Sequence, residues 1–103
     1  MEGIALTEAV FYILLSLDQP LHGYGIMQNA EQLSGGRVRL AAGTLYGALN
    51  TLLEKGWIKA LEENGRKKEY EITEVGREAV KREILRLREL LSNGEMITKG
   101  WGA

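Results

Sequence analysis

A mainly α-helical chain carrying one small β-hairpin is expected from this sequence, on three grounds. Apolar residues recur at three- and four-residue steps in four segments. Two short stretches around Asn64-Gly65 alternate with the two-residue period of a strand. Stop signals stand where the helical patterns end, at Asp18 to Pro20, Ser34-Gly35-Gly36 and Gly56. With 103 residues the chain fits one domain with a real core, although burial against a second copy would help a chain this small.

Leu6, Ala9, Val10, Ile13, Leu14 and Leu17 share one face of a first helix. A second helix starts near His22-Gly23, buries Ile26, Met27, Ala30 and Leu33, and ends at Ser34-Gly35-Gly36. Arg37 to Leu40 alternates and has the length of a very short strand. The third helix runs from Gly43 to Gly56 with Leu45, Leu49, Leu52 and Leu53 on a buried stripe. Gly47, Asn50, Thr51 and Glu54 fall on its other side. Gly56 suits the left-handed conformation that follows a helix. Trp57 to Glu63 and Lys67 to Thr73 read as the strands of the hairpin. Ile58, Ala60, Tyr70 and Ile72 alternate there as one buried face requires. Thr73 caps a fourth helix with Glu74 in its first turn, expected to run to about Asn93-Gly94. The order describes a winged helix-turn-helix with an added C-terminal dimerisation helix. Residues 1–73 would form the DNA-binding unit, 74–93 the dimerisation helix and 94–103 a tail.

Composition narrows the function. Hydrophobic residues make up 45% and charged residues 26%, which fits a globular chain rather than a disordered one. The absence of cysteine excludes disulfides, cysteine zinc sites and thiol nucleophiles. His22 is the only histidine and has no clustered carboxylates near it in the sequence, so a helix-start role fits better than metal ligation or general-base catalysis. Gly23-Tyr24-Gly25 copies part of a dinucleotide fingerprint but lacks the preceding strand and the third glycine. No Ser-His-acid set or P-loop is present, and neither an enzyme nor a cofactor or metal is expected. No basic region precedes the apolar run Ala9 to Leu17, which is too short to span a bilayer. A cytoplasmic location without membrane association is expected.

The net charge of −1 conceals an asymmetry. Residues 1–36 carry no Lys or Arg and four acids, Glu2, Glu8, Asp18 and Glu31. Arg37 to Lys68 holds seven bases against three acids. That is the footprint of a cationic surface confined to one face.

The Leu-rich first helix, His22-Gly23-Tyr24-Gly25-Ile26, Gly43-Thr44-Leu45-Tyr46, and Gly65-Arg66-Lys67-Lys68-Glu69-Tyr70 followed by Thr73-Glu74-Val75-Gly76 resemble the PadR-like family of winged-helix transcriptional regulators. The resemblance spans about Leu6 to Leu91. It departs at Ala42, where the family usually has proline, which should soften the start of the third helix. The resemblance implies a homodimeric repressor joined through its C-terminal helix. It also implies, for some members, release from DNA on binding a small aromatic or drug-like molecule.

Candidate DNA contacts follow. Gly43, Thr44 and Tyr46 begin the third helix, where backbone N–H groups and the dipole favour a phosphate. The competing reading makes Thr44 a cap and Tyr46 a marginal packing residue. Gly47 permits close backbone approach, and Asn50 can pair with adenine. Arg66, Lys67 and Lys68 follow the turn where a wing would flank the recognition helix, and fit phosphate or minor-groove contact. Arg37 and Arg39 are weaker candidates. Tyr24 is a backbone contact by family analogy, or else a core-edge aromatic. Val80, Ile84, Leu87 and Leu91 follow a near-heptad spacing and are the expected dimer seam, with Leu85 and Leu90 widening the apolar face. The fate of Trp101 in the tail stays open.

The favoured reading is a homodimer binding an inverted-repeat operator in double-stranded DNA. Two alternatives are a winged-helix module that binds protein and a small-molecule-binding dimer without specific DNA binding.

Overall fold

The computed structural model describes residues 5–62 and 68–102. The first helix, α1, spans Glu8–Ser16, and the Thr7 hydroxyl caps it by accepting the Val10 N–H at 3.1 Å. Ile13, Leu14 and Leu17 from this region are almost wholly buried. A two-residue strand, β1 (Leu21–His22), leads into α2 (Gly23–Leu33). His22 Nδ1 accepts the Gly25 N–H at 3.1 Å and so caps α2, the helix-start role expected of it. Ile26 and Ala30 are buried. Leu33, expected inside, is 52% exposed because it sits at the helix end, past the packing surface.

The short strand expected at Arg37 to Leu40 is not one. The Val38 N–H donates instead to the Ser34 hydroxyl at 2.8 Å. The third strand of the sheet is β1, which pairs antiparallel with β3 (Glu69–Ile72). β2 (Ile58–Leu61) lies on the other side of β3, in the order β1-β3-β2. Ile58 faces Ile72 and Ala60 faces Tyr70. Ile58, Tyr70 and Ile72 are buried as expected, but Ala60 is exposed, because the covered face of the hairpin runs out at Tyr70.

The helix α3 spans Ala42–Lys55 and buries Leu45, Leu49 and Leu52. Gly56 ends it at φ 75°, with its N–H on the Leu53 carbonyl at 3.0 Å. The last helix, α4, spans Glu74–Thr98 and is capped by Thr73, whose hydroxyl accepts the Gly76 N–H. The same hydroxyl donates to the Gly56 carbonyl at 2.6 Å, and the Thr73 N–H donates to the Trp57 carbonyl. Gly76 is required here: a Cβ would lie 2.2 Å from the Trp57 carbonyl oxygen.

Gly76, Ala79, Val80 and Glu83 are buried, and Ile84 packs against the core. Beyond Arg86 every described residue of α4 is exposed. The helix does not stop at Asn93-Gly94. Gly94 stays helical, its carbonyl accepts the Thr98 hydroxyl, and the rod continues to Thr98. Glycine weakens a helix interior by about 1 kcal/mol but breaks it only where the backbone turns left-handed. At about 1.5 Å per residue α4 is about 37 Å long, and the molecule measures 59 × 30 × 20 Å. No helix among the described residues is long and apolar enough to cross a membrane.

Candidate nucleic-acid interface

Helix α3 is divided along its length. Leu45, Leu49 and Leu52 point into the core, while Gly43, Thr44, Tyr46, Gly47, Asn50 and Thr51 are exposed. The division follows from the sequence, since leucines at steps of four and three leave the small and polar residues on the outer side. Ala41 is the N-cap and makes no side-chain capping bond. Thr44 therefore sits within the first turn rather than capping it.

Tyr46 lies against the start of α2. A Cβ on Gly23 would stand 2.3 Å from the Tyr46 hydroxyl oxygen, so the ring occupies space that only glycine leaves open. Tyr24 is 61% exposed. Tyr24, Tyr46 and Lys68 line one hollow of about 410 Å³, together with His22, Gly23 and Tyr70. His22 and Tyr70 were not expected there. Three elements distant in sequence build this hollow, and the only local signal was the concentration of tyrosines. Arg66, Lys67 and the Asn64-Gly65 turn lie outside the described residues.

The cationic surplus of residues 37–68 is partly offset by acids elsewhere. Arg37 pairs with Glu8, whose carboxylate raises the guanidinium above its ordinary range. Arg39 approaches Glu31 at 3.5 Å, and Lys59 approaches Glu71 at 3.8 Å across the hairpin. Lys55 stands over the Trp57 ring at 5.3 Å. Lys68, exposed, has no ion-pair partner among the described residues. Among the described residues it is a cation that lines the hollow with no ion pair. No cluster of potential metal ligands occurs among the described residues.

On α4 the expected seam divides. Val80 is 8% exposed and belongs to the chain's own core, and Ile84 packs on it. Leu87 and Leu91 are 41% and 62% exposed. Leu90 and Ile97, also exposed, stand about 60° and 80° from Leu87, on the side away from Leu91. Between α1, α3 and α4 lies a groove of about 590 Å³, walled by Leu6, Val10, Leu52 and Trp57 and edged by Lys55 and Arg82. Buried Glu83 at its margin is held by Arg86 through contacts of 2.9 and 2.6 Å, and that guanidinium keeps the carboxyl below its ordinary value. Trp101 is exposed, with its N–H on the Thr98 carbonyl.

Known proteins share this arrangement. A transcriptional regulator from Clostridium thermocellum superposes with a TM-score of 0.66 at 25% identity, over 91% of this chain and 92% of that one. RosR of H. salinarum superposes with a TM-score of 0.66 at 30% identity, over 85% of this chain and 76% of that one. An uncharacterised 37.1 kDa protein in transposon Tn4556 of Streptomyces fradiae is 46% identical over 77 residues. That match covers 74% of this chain but 22% of the relative, so the chain spans about a fifth of that protein's length. The model of the transcriptional regulator PadR-like family matches residues 11–82. With most of its length matched and every expected helix of the winged fold in place, the chain belongs to the PadR-like family, whose members are transcriptional regulators and not enzymes.

Proposed function

We propose that the chain acts in the cytoplasm as a homodimeric, sequence-specific DNA-binding repressor. One observation carries the reading: α3 spends one face on the core and leaves Thr44, Tyr46, Gly47 and Asn50 exposed beside the start of α2. A helix so divided fits a major groove, with small residues admitting the groove wall and Asn50 reading an adenine. Arg66, Lys67 and Lys68 would grip the adjacent backbone. Leu87 and Leu91, exposed on one line of α4, support pairing with a second copy. Two α3 helices in a symmetric dimer would meet successive major grooves. The operator would then be an inverted repeat with half-sites about 10 base pairs apart.

The groove beside Trp57 supports a further element, a small aromatic or drug-like effector that loosens the grip on DNA. Thr51 and Lys55 of α3 line that groove, so an occupant would touch the recognition helix directly. Footprinting on an operator selected from random duplexes tests the DNA reading. Asn50→Ala should cost about 1–3 kcal/mol at one operator position while leaving folding intact. Equal protection by parent and variant at every position would instead favour a protein-binding role for this face.

A further inference from the structure

The hollow between α2, α3 and β3 is built from hydrogen-bond donors. His22 and Tyr24 come from the start of α2, Tyr46 from α3, and Lys68 and Tyr70 from the β3 side. No carboxylate lines it among the described residues. His22 Nδ1 is engaged in accepting the Gly25 N–H, which leaves the ring proton on Nε2. The first turn of α2 leaves the Gly23 and Tyr24 N–H groups without intrahelical acceptors. The positive end of an 11-residue helix thus faces a set of phenols and one ammonium.

Tyr70 is the residue that requires explanation. It is only 7% exposed, yet its hydroxyl has no hydrogen-bond partner among the described residues. No fully sealed side-chain polar atom lacks a partner among those residues, so this hydroxyl opens into the hollow that Tyr70 lines. The ring fills the core as phenylalanine would, so the hydroxyl is a donor on the hollow's inner wall that packing does not require. Burial, with the Tyr46 phenol adding to it, raises the Tyr70 hydroxyl above its ordinary value and keeps it a donor at physiological pH.

We propose that this hollow seats one DNA backbone phosphate per protomer, with the Tyr70 hydroxyl as its innermost donor and Tyr46, Tyr24, His22 and Lys68 around it. The inference rests on the DNA-binding reading and adds to it a site that fixes register without reading bases. The hollow opens to the surface beside the exposed face of α3, so a phosphate held in it can remain part of a continuous strand. Tyr46 joins the seat to the exposed face of α3, so a strand held here would run along the groove that Gly47 and Asn50 enter.

The test uses the full chain, a fluorescently labelled duplex of arbitrary sequence, and anisotropy at two salt concentrations. Tyr70→Phe keeps the ring and should keep the melting temperature. It should weaken duplex binding at least about tenfold, as loss of a donor to a charged acceptor does. The salt slope should stay unchanged, because a neutral hydroxyl releases no counterion. Lys68→Gln should instead reduce the log–log slope by about 0.9. Parent-like duplex affinity in Tyr70→Phe overturns the seat while leaving DNA binding in place, whereas a parent chain that binds no duplex overturns both. If inorganic phosphate raises the melting temperature of the parent but not of Tyr70→Phe, and duplex affinity is equal in the two, the hollow is a free-anion site and the DNA version fails.

Discussion

Leu91 and Leu85 offer a controlled test of the dimer. Both are 62% exposed, and both side chains lie on α4 outside the core. Six residues apart, they stand about 120° from each other around the helix axis. Leu91 continues the line of Val80, Ile84 and Leu87, and Leu85 does not. Full burial of a leucine side chain is worth about 1.5–3 kcal/mol. Covering the exposed 62% of Leu91 would therefore contribute about 0.9–1.9 kcal/mol per protomer, and about twice that in a symmetric dimer. Leu91→Ala removes most of this, so the dimer dissociation constant should rise by about 20- to 400-fold at 1.4 kcal/mol per decade. Leu85→Ala should leave association within about twofold of the parent. Sedimentation equilibrium over a range of concentrations measures both, and circular dichroism checks that the monomer fold is kept. Equal effects from the two substitutions, or none from Leu91→Ala, would refute the assignment of this side of α4 as the seam.

Further expectations concern the core, α3 and acid stability. Gly76→Ala forces a Cβ against the Trp57 carbonyl and should lower stability by about 1–3 kcal/mol in a chemical melt. Gly47→Ala meets nothing within 4 Å and should raise stability by up to about 1 kcal/mol. The same change should weaken operator binding, as paired melting and anisotropy measurements would reveal. Because Arg86 holds the folded Glu83 carboxyl below its ordinary value of 4.5, their pairing stabilises the fold above that pH. The contribution disappears as the pH falls through the lower folded value. Glu83→Gln should flatten this part of the acid stability curve, and an identical acid profile would assign the pair no such role.

The parts of this fold that could be read from the sequence are those decided locally. The leucine steps of α3, the Gly56 stop and the Thr73 cap each depend on residues within one or two turns of one another. Leu21-His22 was unreadable as a strand, since two residues have no period and acquire the role only by pairing with Tyr70 and Glu69. Gly94 resembled a stop by identity alone, and the backbone angle that makes glycine a stop is not written in the sequence. Counting charges along the chain likewise overlooked that Arg37 and Arg39 meet Glu8 and Glu31 from earlier helices. The candidate DNA face of α3 was legible because burial and exposure share one helical period. The hollow at Tyr70 was not, because it exists only where α2, α3 and β3 converge.

Thr73 has a mechanical consequence. One residue ties the end of α3 at Gly56, the start of the sheet at Trp57 and the first turn of α4 together. With Gly76 seated on the Trp57 carbonyl, the junction leaves no room for a side chain, and α4 projects from it as from a pivot. A tilt of 10° at that pivot would move the far end of an arm of about 37 Å by about 6 Å. In a symmetric pair joined near those far ends, the geometry works in reverse. A shift of a few ångströms between the two arms would become a rotation at each pivot, and each pivot is bonded to the end of α3. Spacing between the two copies of α3 would then be set by the angle at Thr73.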